Sequence, residues 1–299
     1  MSPSAIRRVG FIGIGNMGWP MAVNLVRAGF DVTAFDTVAE RTEQFLKEAG
    51  GSAAADAAAA ASGADAVVTI LPTSSHVSEV IGAIKDRLSP GAIVVEMSSG
   101  VPGITRALAA ELEAVGAAMI DCPVSGGVAR ARTGDLAILA GGDAALIDRA
   151  EPLLHAMGSS IHRCGGIGAG QAMKALNNLV SAGGFLIGIE ALLIGQKFGL
   201  DPALMVDVLN ASTGMNNSTQ KKFRQFVLSR AFNSGFGLDL MVKDLSIALE
   251  VGRDTATPTP FAALCREMWA SAASVLGPEQ DHTAAARLSE QLGGAVLGE

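Results

Sequence analysis

The sequence predicts an α/β fold in two parts, a Rossmann-type doubly wound, mainly parallel sheet domain in residues 1–164 and an all-α domain in residues 165–299, joined by a long helix. Three observations predict it. Short β-branched runs alternate with helix-like stretches through the first half, the signature of a parallel α/β sheet. The glycine pattern Gly13-Ile14-Gly15-Asn16-Met17-Gly18 stands between the first such run and the first helix. From about Gly170 the strands stop, and one long apolar helix leads into further helical pattern.

The candidate strands are 8–14, 31–35, 66–71, 93–97, 118–122 and 136–140. Several are nearly continuous apolar runs, as expected of strands covered on both faces. Helices fit between them: 17–28, ended by Gly29, and 102–115, opened by Pro102. The alanine-rich stretch 53–61 reads as a short surface helix, since alanine is the best helix former. Gly165, Gly166, Gly168 and Gly170 form a glycine-rich joint, and 171–198 reads as one helix, apolar around most of its circumference. Asn177, Asn178, Ser181, Gly183, Gly184 and Glu190 interrupt its apolar run and argue against a membrane span. Such a helix in a small domain is expected to bury itself against a partner subunit, giving a homodimer or homotetramer.

Composition narrows the function. At 299 residues, 49% of them hydrophobic, the chain is long enough for two cores and too apolar to be disordered. A net charge of −7 argues against nucleic acid as the main partner, because phosphate binding needs a basic face. Lys221, Lys222 and Arg224 read as a solvated helix face or part of a local anion pocket. Cys122, Cys164 and Cys265 are too few and too scattered for a disulfide framework or a zinc site, so no metal is expected. The apolar run from Val9 to Ile14 is short, broken by Gly10 and Gly13, and followed by no cleavage site; the cytoplasm is the expected compartment.

The glycine pattern carries the first chemistry. A β-run precedes it, an amphipathic helix follows, and the second strand ends in Asp36. Gly13 permits the tight turn, Gly15 lets backbone approach a pyrophosphate favoured by the helix N-terminus, and Gly18 allows close packing. A carboxylate at Asp36 accepts hydrogen bonds from adenosine ribose hydroxyls and repels a 2′-phosphate, so NAD is expected over NADP, with Arg41 nearby as the opposing feature. Pro72 and Ser98-Ser99 follow two further strands, where ligands of open α/β sheets bind.

Two more pieces point to a substrate. Asp121-Cys122-Pro123-Val124-Ser125-Gly126-Gly127 places a serine and two glycines after a strand end, either a plain turn or a backbone nest for a carboxylate. Lys174, with Asn178 on the same helix face, is either a lysine reaching solvent at the first turn or a buried general acid/base, whose pKa burial would lower.

Four blocks in this order, Gly13–Gly18 with Met21 and Asn24, Asp121–Gly127, Gly168–Asn178 and Lys243-Asp244-Leu245, resemble those of the β-hydroxyacid dehydrogenase family nearly end to end. The resemblance implies hydride transfer between NAD and the hydroxyl-bearing carbon of a small β-hydroxyacid, of the 3-hydroxyisobutyrate or tartronate semialdehyde/glycerate kind. It also implies Lys174 as general acid/base, Asn178 as a substrate-holding catalytic group, and Ser125, Gly126 and Gly127 as the carboxylate site. Gly13, Gly15, Asn16, Met17, Gly18, Asp36, Leu71, Pro72, His76, Ser99 and Lys243 fall to the cofactor, His76 the weakest match. The sequence departs from the family at Arg130, where a small residue is usual, and solvent is its expected environment. Residues 212–222 are expected to supply substrate-selective groups. An imine reductase or a non-catalytic NAD-binding scaffold are the alternatives, and both are disfavoured by the intact Lys174, Asn178 and Lys243.

Overall fold

A computed structural model describes residues 5–298. The chain divides into two compact units between Lys174 and Ala175.

The first unit opens with β1 (Arg8–Ile12), α1 (Gly18–Arg27), β2 (Asp31–Phe35), α2 (Ala39–Ala49) and β3 (Ser52–Ala53). Next come α3 (Ala57–Ala61), β4 (Ala66–Thr69), α4 (Ser74–Ile84), β5 (Ile93–Glu96), α5 (Pro102–Glu113) and β6 (Ala118–Asp121). The unit continues through β7 (Val124–Ser125), α6 (Gly127–Arg132), β8 (Ala137–Gly141), α7 (Ala144–Met157) and β9 (Ser160–Gly165) into α8 (Ala169–Phe198). The strands form one sheet in the order β3-β2-β1-β4-β5-β6-β8-β7, with β9 paired to β8. From β3 to β6 every pairing is parallel, whereas β8 runs antiparallel to β6 and β7.

Alternate side chains of one strand enter different cores, which is the pleat at work. Ala66 and Val68 of β4 join one apolar cluster with Phe11, Val95 and Ile120; Val67 joins the other with Ile12, Val94 and Met119. The expected strands all form, with ends shifted by up to two residues. Gly13, at φ +97°, turns the chain out of β1 before the position expected.

Three strands lie outside the expectation. β3 and β7 have two residues each, too few for any periodicity, and β9 has no alternation, with the exposed His162 and Arg163 side by side and none of its residues fully buried. The alanine-rich stretch is correspondingly shorter as a helix: Ser52 and Ala53 pair with β2, and Asp56 caps α3 by accepting from the Ala59 N–H at 2.7 Å. The division of units falls inside α8 and not at the glycine-rich joint, because Asp121 and Glu96 bind the first turn of α8 to the sheet (below).

The second unit, as described, is helical: the rest of α8, α9 (Pro202–Asn210), α10 (Asn217–Lys221), a π turn at Phe223–Leu228, α11 (Leu238–Asp254), α12 (Pro260–Leu276) and α13 (Ala286–Gly293). α8 is the one described helix long and apolar enough to cross a membrane by length and composition, and 56% of its most apolar window is buried within the protein. Its buried side carries Ala182, Phe185, Ile189 and Leu192 into a core with Phe223 and Trp269.

His282 lies in that core, stacked on Trp269 at 6.2 Å and held through Nδ1 near the Phe236 carbonyl (3.2 Å) and Ser234 Oγ (3.0 Å). Burial, with repulsion from Lys222, lowers its pKa to about 4, against a partial opposing pull from Asp281. The unfolded state therefore binds the extra proton first as pH falls. The stabilising contribution is complete above about 6.5 and is lost as pH drops through about 4, roughly 3 kcal/mol in all. Thermal melts from pH 7 to pH 4 should show this loss, and His282→Phe should flatten that limb; an unchanged slope in the variant would refute the assignment.

Candidate active site

The turn between β1 and α1 is shaped by what its glycines exclude. A Cβ at Gly13 would strike the Ile70 carbonyl, and one at Gly18 would strike the Gly13 carbonyl. At Gly15 a Cβ would meet only Arg41 Nη1, at 3.8 Å, so backbone there faces open space. No side chain caps α1, whose N-cap residue is Met17. The residues thus fit a dinucleotide pyrophosphate: room at Gly15, and a helix N-terminus with amide donors.

Asp36 follows β2 and is nearly buried. Its Oδ2 accepts from the Ile14 N–H at 2.9 Å, and Oδ1 accepts from the Val38 N–H at 2.9 Å and faces Arg41 Nη1 at 3.3 Å. The carboxylate is thereby locked against the glycine turn, with one acceptor site of Oδ2 to spare for a hydroxyl. Arg41, the opposing feature in the sequence, is drawn to Asp36.

The loops after β4 and β5 are tied together. The Leu71 N–H donates to Ser98 Oγ at 2.8 Å, and the Val101 N–H donates to Ser74 Oγ at 2.8 Å. Pro72 and Ser99 stand on these same loops, at the carboxyl ends of adjacent parallel strands. His76 lies in the first turn of α4, its Nδ1 2.7 Å from Oγ1 of Thr73, the N-cap of that helix.

Asp121, fully buried at the end of β6, accepts from the Gly168 N–H at 2.7 Å and the Gln171 N–H at 2.8 Å, so it caps α8 from across the sheet edge. Burial raises its pKa, and these backbone bonds oppose the rise. Gln171 extends the lock: Oε1 accepts from the Gly100 N–H at 2.7 Å, while Nε2 donates to the buried Glu96 carboxylate and to the Ser98 carbonyl. Three residues further along α8, Lys174 is only 8% exposed. The alternative of a lysine reaching solvent therefore fails.

One turn on, Asn178 is 7% exposed and belongs to the second unit. Its Nδ2 donates to Asp244 Oδ2 at 2.6 Å, and Lys243 Nζ stands 3.4 Å from Asp244 Oδ1. Asp244 thus fixes which way the Asn178 amide points: Oδ1 accepts from Asn177 Nδ2 at 3.2 Å, and Nδ2 carries a second N–H that can donate to an oxygen.

Ser125 ends β7, and Gly126 and Gly127 follow at φ +135° and +68°, conformations L side chains avoid. Arg130, whose methylenes lie against Gly126, pairs with Asp135 at 3.0 Å on the surface, as the expected solvent-facing arginine.

Comparison with known proteins decides the family. Residues 8–166 match the family model described as the NAD binding domain of 6-phosphogluconate dehydrogenase. Residues 168–289 match that described as NAD-binding of NADP-dependent 3-hydroxyisobutyrate dehydrogenase. The chain belongs to the β-hydroxyacid dehydrogenase family.

Among its relatives, 2-(hydroxymethyl)glutarate dehydrogenase of Eubacterium barkeri is 33% identical over 97% of each chain. An NAD-dependent L-serine dehydrogenase of Pseudomonas aeruginosa is 36% identical over 88% of this chain and 91% of its own. A solved structure of Mycobacterium tuberculosis 3-hydroxyisobutyrate dehydrogenase with L-serine superposes with TM-score 0.89 at 30% identity, covering 95% of this chain and 99% of that one. This β-hydroxyacid dehydrogenase is an NAD-dependent oxidoreductase of small hydroxyacids, and the imine reductase and scaffold alternatives are not favoured.

Sequence reasoning missed the parts played by Glu96, Gln171 and Asp244. The signal for Glu96 was an acid closing an otherwise apolar strand (IVVE), in register with Asp121. Asp244 was visible only as the neighbour of Lys243.

The Asp36 geometry yields a test. Asp36→Ala removes the carboxylate expected to meet the ribose and releases Arg41. The kcat/KM ratio of NAD to NADP should fall by roughly 10- to 100-fold; an unchanged ratio would show that Asp36 only braces the turn.

Proposed function

We propose that Lys174 is the general acid/base of this dehydrogenase and that Asn178 holds the reacting oxygen. The observation that carries the reading is a lysine buried in the second turn of a helix whose start is clamped by Asp121, Gln171 and Glu96, with an Asp244-oriented amide one turn on. Ser125 with the Gly126 and Gly127 amides takes the substrate carboxylate. Gly13, Gly15, Asn16, Met17, Gly18, Asp36, Leu71, Pro72, Ser99 and Lys243 hold NAD. His76, engaged with its own helix cap, contributes least.

In the oxidative direction neutral Lys174 accepts the hydroxyl proton at Nζ while Asn178 fixes that oxygen. In the reductive direction the Lys174 ammonium returns the proton to the carbonyl oxygen. Bound NAD supplies the hydride acceptor at the carbon bearing that oxygen. Everything else in the site is orientation, which accounts for a large share of such catalysis. The relatives' names place 3-hydroxyisobutyrate, L-serine and 2-(hydroxymethyl)glutarate first among acids to try.

The exposed side of α8 supports a second reading. Val180, Ile187 and Ile194 form a stripe at heptad spacing, 76%, 56% and 71% exposed, with Phe198 and Leu204 also exposed. An apolar stripe of this kind suits a homo-oligomeric interface.

Lys174→Ala should lower kcat by at least about 10³-fold while NADH binding, read by fluorescence titration, stays within about twofold; near-normal turnover would overturn the assignment. Light scattering at micromolar concentration should give at least a dimer mass, and a monomer mass would overturn the interface.

A further inference from the structure

Residues 216–223 lie close against α8, and the contact is set by small residues on one face. Ser181, Gly184 and Gly188 recur at helical spacing. A Cβ at Gly184 would come within 3.3 Å of Asn216 Nδ2, and one at Gly188 would collide with the Phe223 ring. Asn216 caps α10 through a reciprocal capping box with Thr219, and its Nδ2 donates to the Gly184 carbonyl at 3.4 Å. The α-helical phase then breaks at Lys222, φ −127°, where the π turn begins; such turns recur at functional sites.

That break separates two adjacent lysines. Lys221 faces solvent, whereas Lys222 turns inward and donates to Ser181 Oγ at 3.0 Å. Among the described residues this is the side chain's one hydrogen-bond partner, and no carboxylate lies within 4.0 Å of Nζ. The nearby Asp281 attracts it but is committed elsewhere. It accepts from Ser234 Oγ, from the Gly235, Phe236 and Thr283 N–H groups, and from Thr283 Oγ1. His282, the other titratable neighbour, is neutral at pH 7. A largely buried ammonium with three donors and one neutral partner is costly unless an anion completes it.

Ser181 also marks where that anion would stand. Lys174, Asn178 and Ser181 are at i, i+4 and i+7 of α8, one helix face, and Ser181 lies about 4.5 Å along the axis from Asn178.

We propose that Lys222, steadied by Ser181, binds a second carboxylate on the substrate, so that this enzyme acts preferentially on dicarboxylic β-hydroxyacids. The proposal rests on Asn178 holding the reacting oxygen, as argued above. The span from Asn178 to Ser181 suits a carboxylate carried on a two-carbon arm. Burial lowers the Lys222 pKa to about 8, which leaves the ammonium as the main form at pH 7.

Two acids make a matched pair: 3-hydroxyisobutyrate, and 2-(hydroxymethyl)glutarate, which carries –CH2CH2COO⁻ in place of the methyl group. The wild-type enzyme with NAD should favour the second in kcat/KM. Lys222→Met should lower kcat/KM for the dicarboxylate by roughly 10- to 100-fold, mostly through KM, and leave 3-hydroxyisobutyrate within about twofold. Lys222→Arg should restore part of the preference, which a merely structural lysine would not do. Should Lys222→Met fail to fold, inhibition of the wild type decides: glutarate should inhibit more tightly than pentanoate. Equal loss on both acids, or wild-type turnover of 3-hydroxyisobutyrate without preference for the dicarboxylate or for glutarate, overturns the role of Lys222 alone. Absence of any Lys174-dependent turnover of either acid, with NADH still bound, overturns the underlying reading as well.

Discussion

The structure depends on one carboxylate placed at the start of one helix. Asp121 ends a central strand, where an apolar run would ordinarily give way to a loop, and it takes two of the orphan amide donors of α8. The helix macrodipole and the buried negative charge favour each other, which offsets the cost of removing the carboxylate from water. Glu96, one strand over, holds the Gln171 side chain, and Gln171 in turn holds the Gly100 amide. The helix origin, the loop after β5 and the sheet edge form one hydrogen-bonded unit. The position of Lys174 is therefore set by the sheet, through the first turn of α8, and owes little to the lysine itself.

Glycine does the complementary work of letting chain segments approach. At Gly170 a Cβ would run into the Leu139 and Asp121 carbonyls, so only glycine lets α8 begin pressed against the sheet. Gly184 and Gly188 do the same for the segment carrying Lys222. Where glycine is not needed for contact, at Gly15, the space is left open toward the helix N-terminus. Close approach and open room are distributed by residue type at specific turns.

The parts legible in the sequence are those with local causes. Gly13–Gly18 announces itself because turn chemistry is local, and α8 because 30 residues of apolar pattern outlast any other explanation. β3 and β7 were not legible because two residues carry no period, and β9 because its exposed side chains mimic a loop. Asp121 was visible within its block, but its cap is made by a chain that returns 47 residues later. Asn178 and its partner Asp244 are separated still further, by 66 residues. Lys221 and Lys222 look interchangeable in sequence; only the shift from α to π phase tells which faces inward.

The division inside α8 sorts the proposed roles as well as the structure. The glycine turn, Asp36, the strand-end loops and Lys174 all precede Ala175, whereas Asn178, Ser181 and the 216–223 segment follow it and rest on a core of their own around Phe185 and Trp269. Under the proposed roles, Ser181 and Lys222, which would read the far end of the acid, lie in one compact unit together with Asn178 and Lys243, while the glycine turn, Asp36, Ser125 and Lys174 lie in the other. A change of preferred acid at Lys222 would then ask for substitutions in a few helical turns and leave the glycine turn and Asp36 as they are.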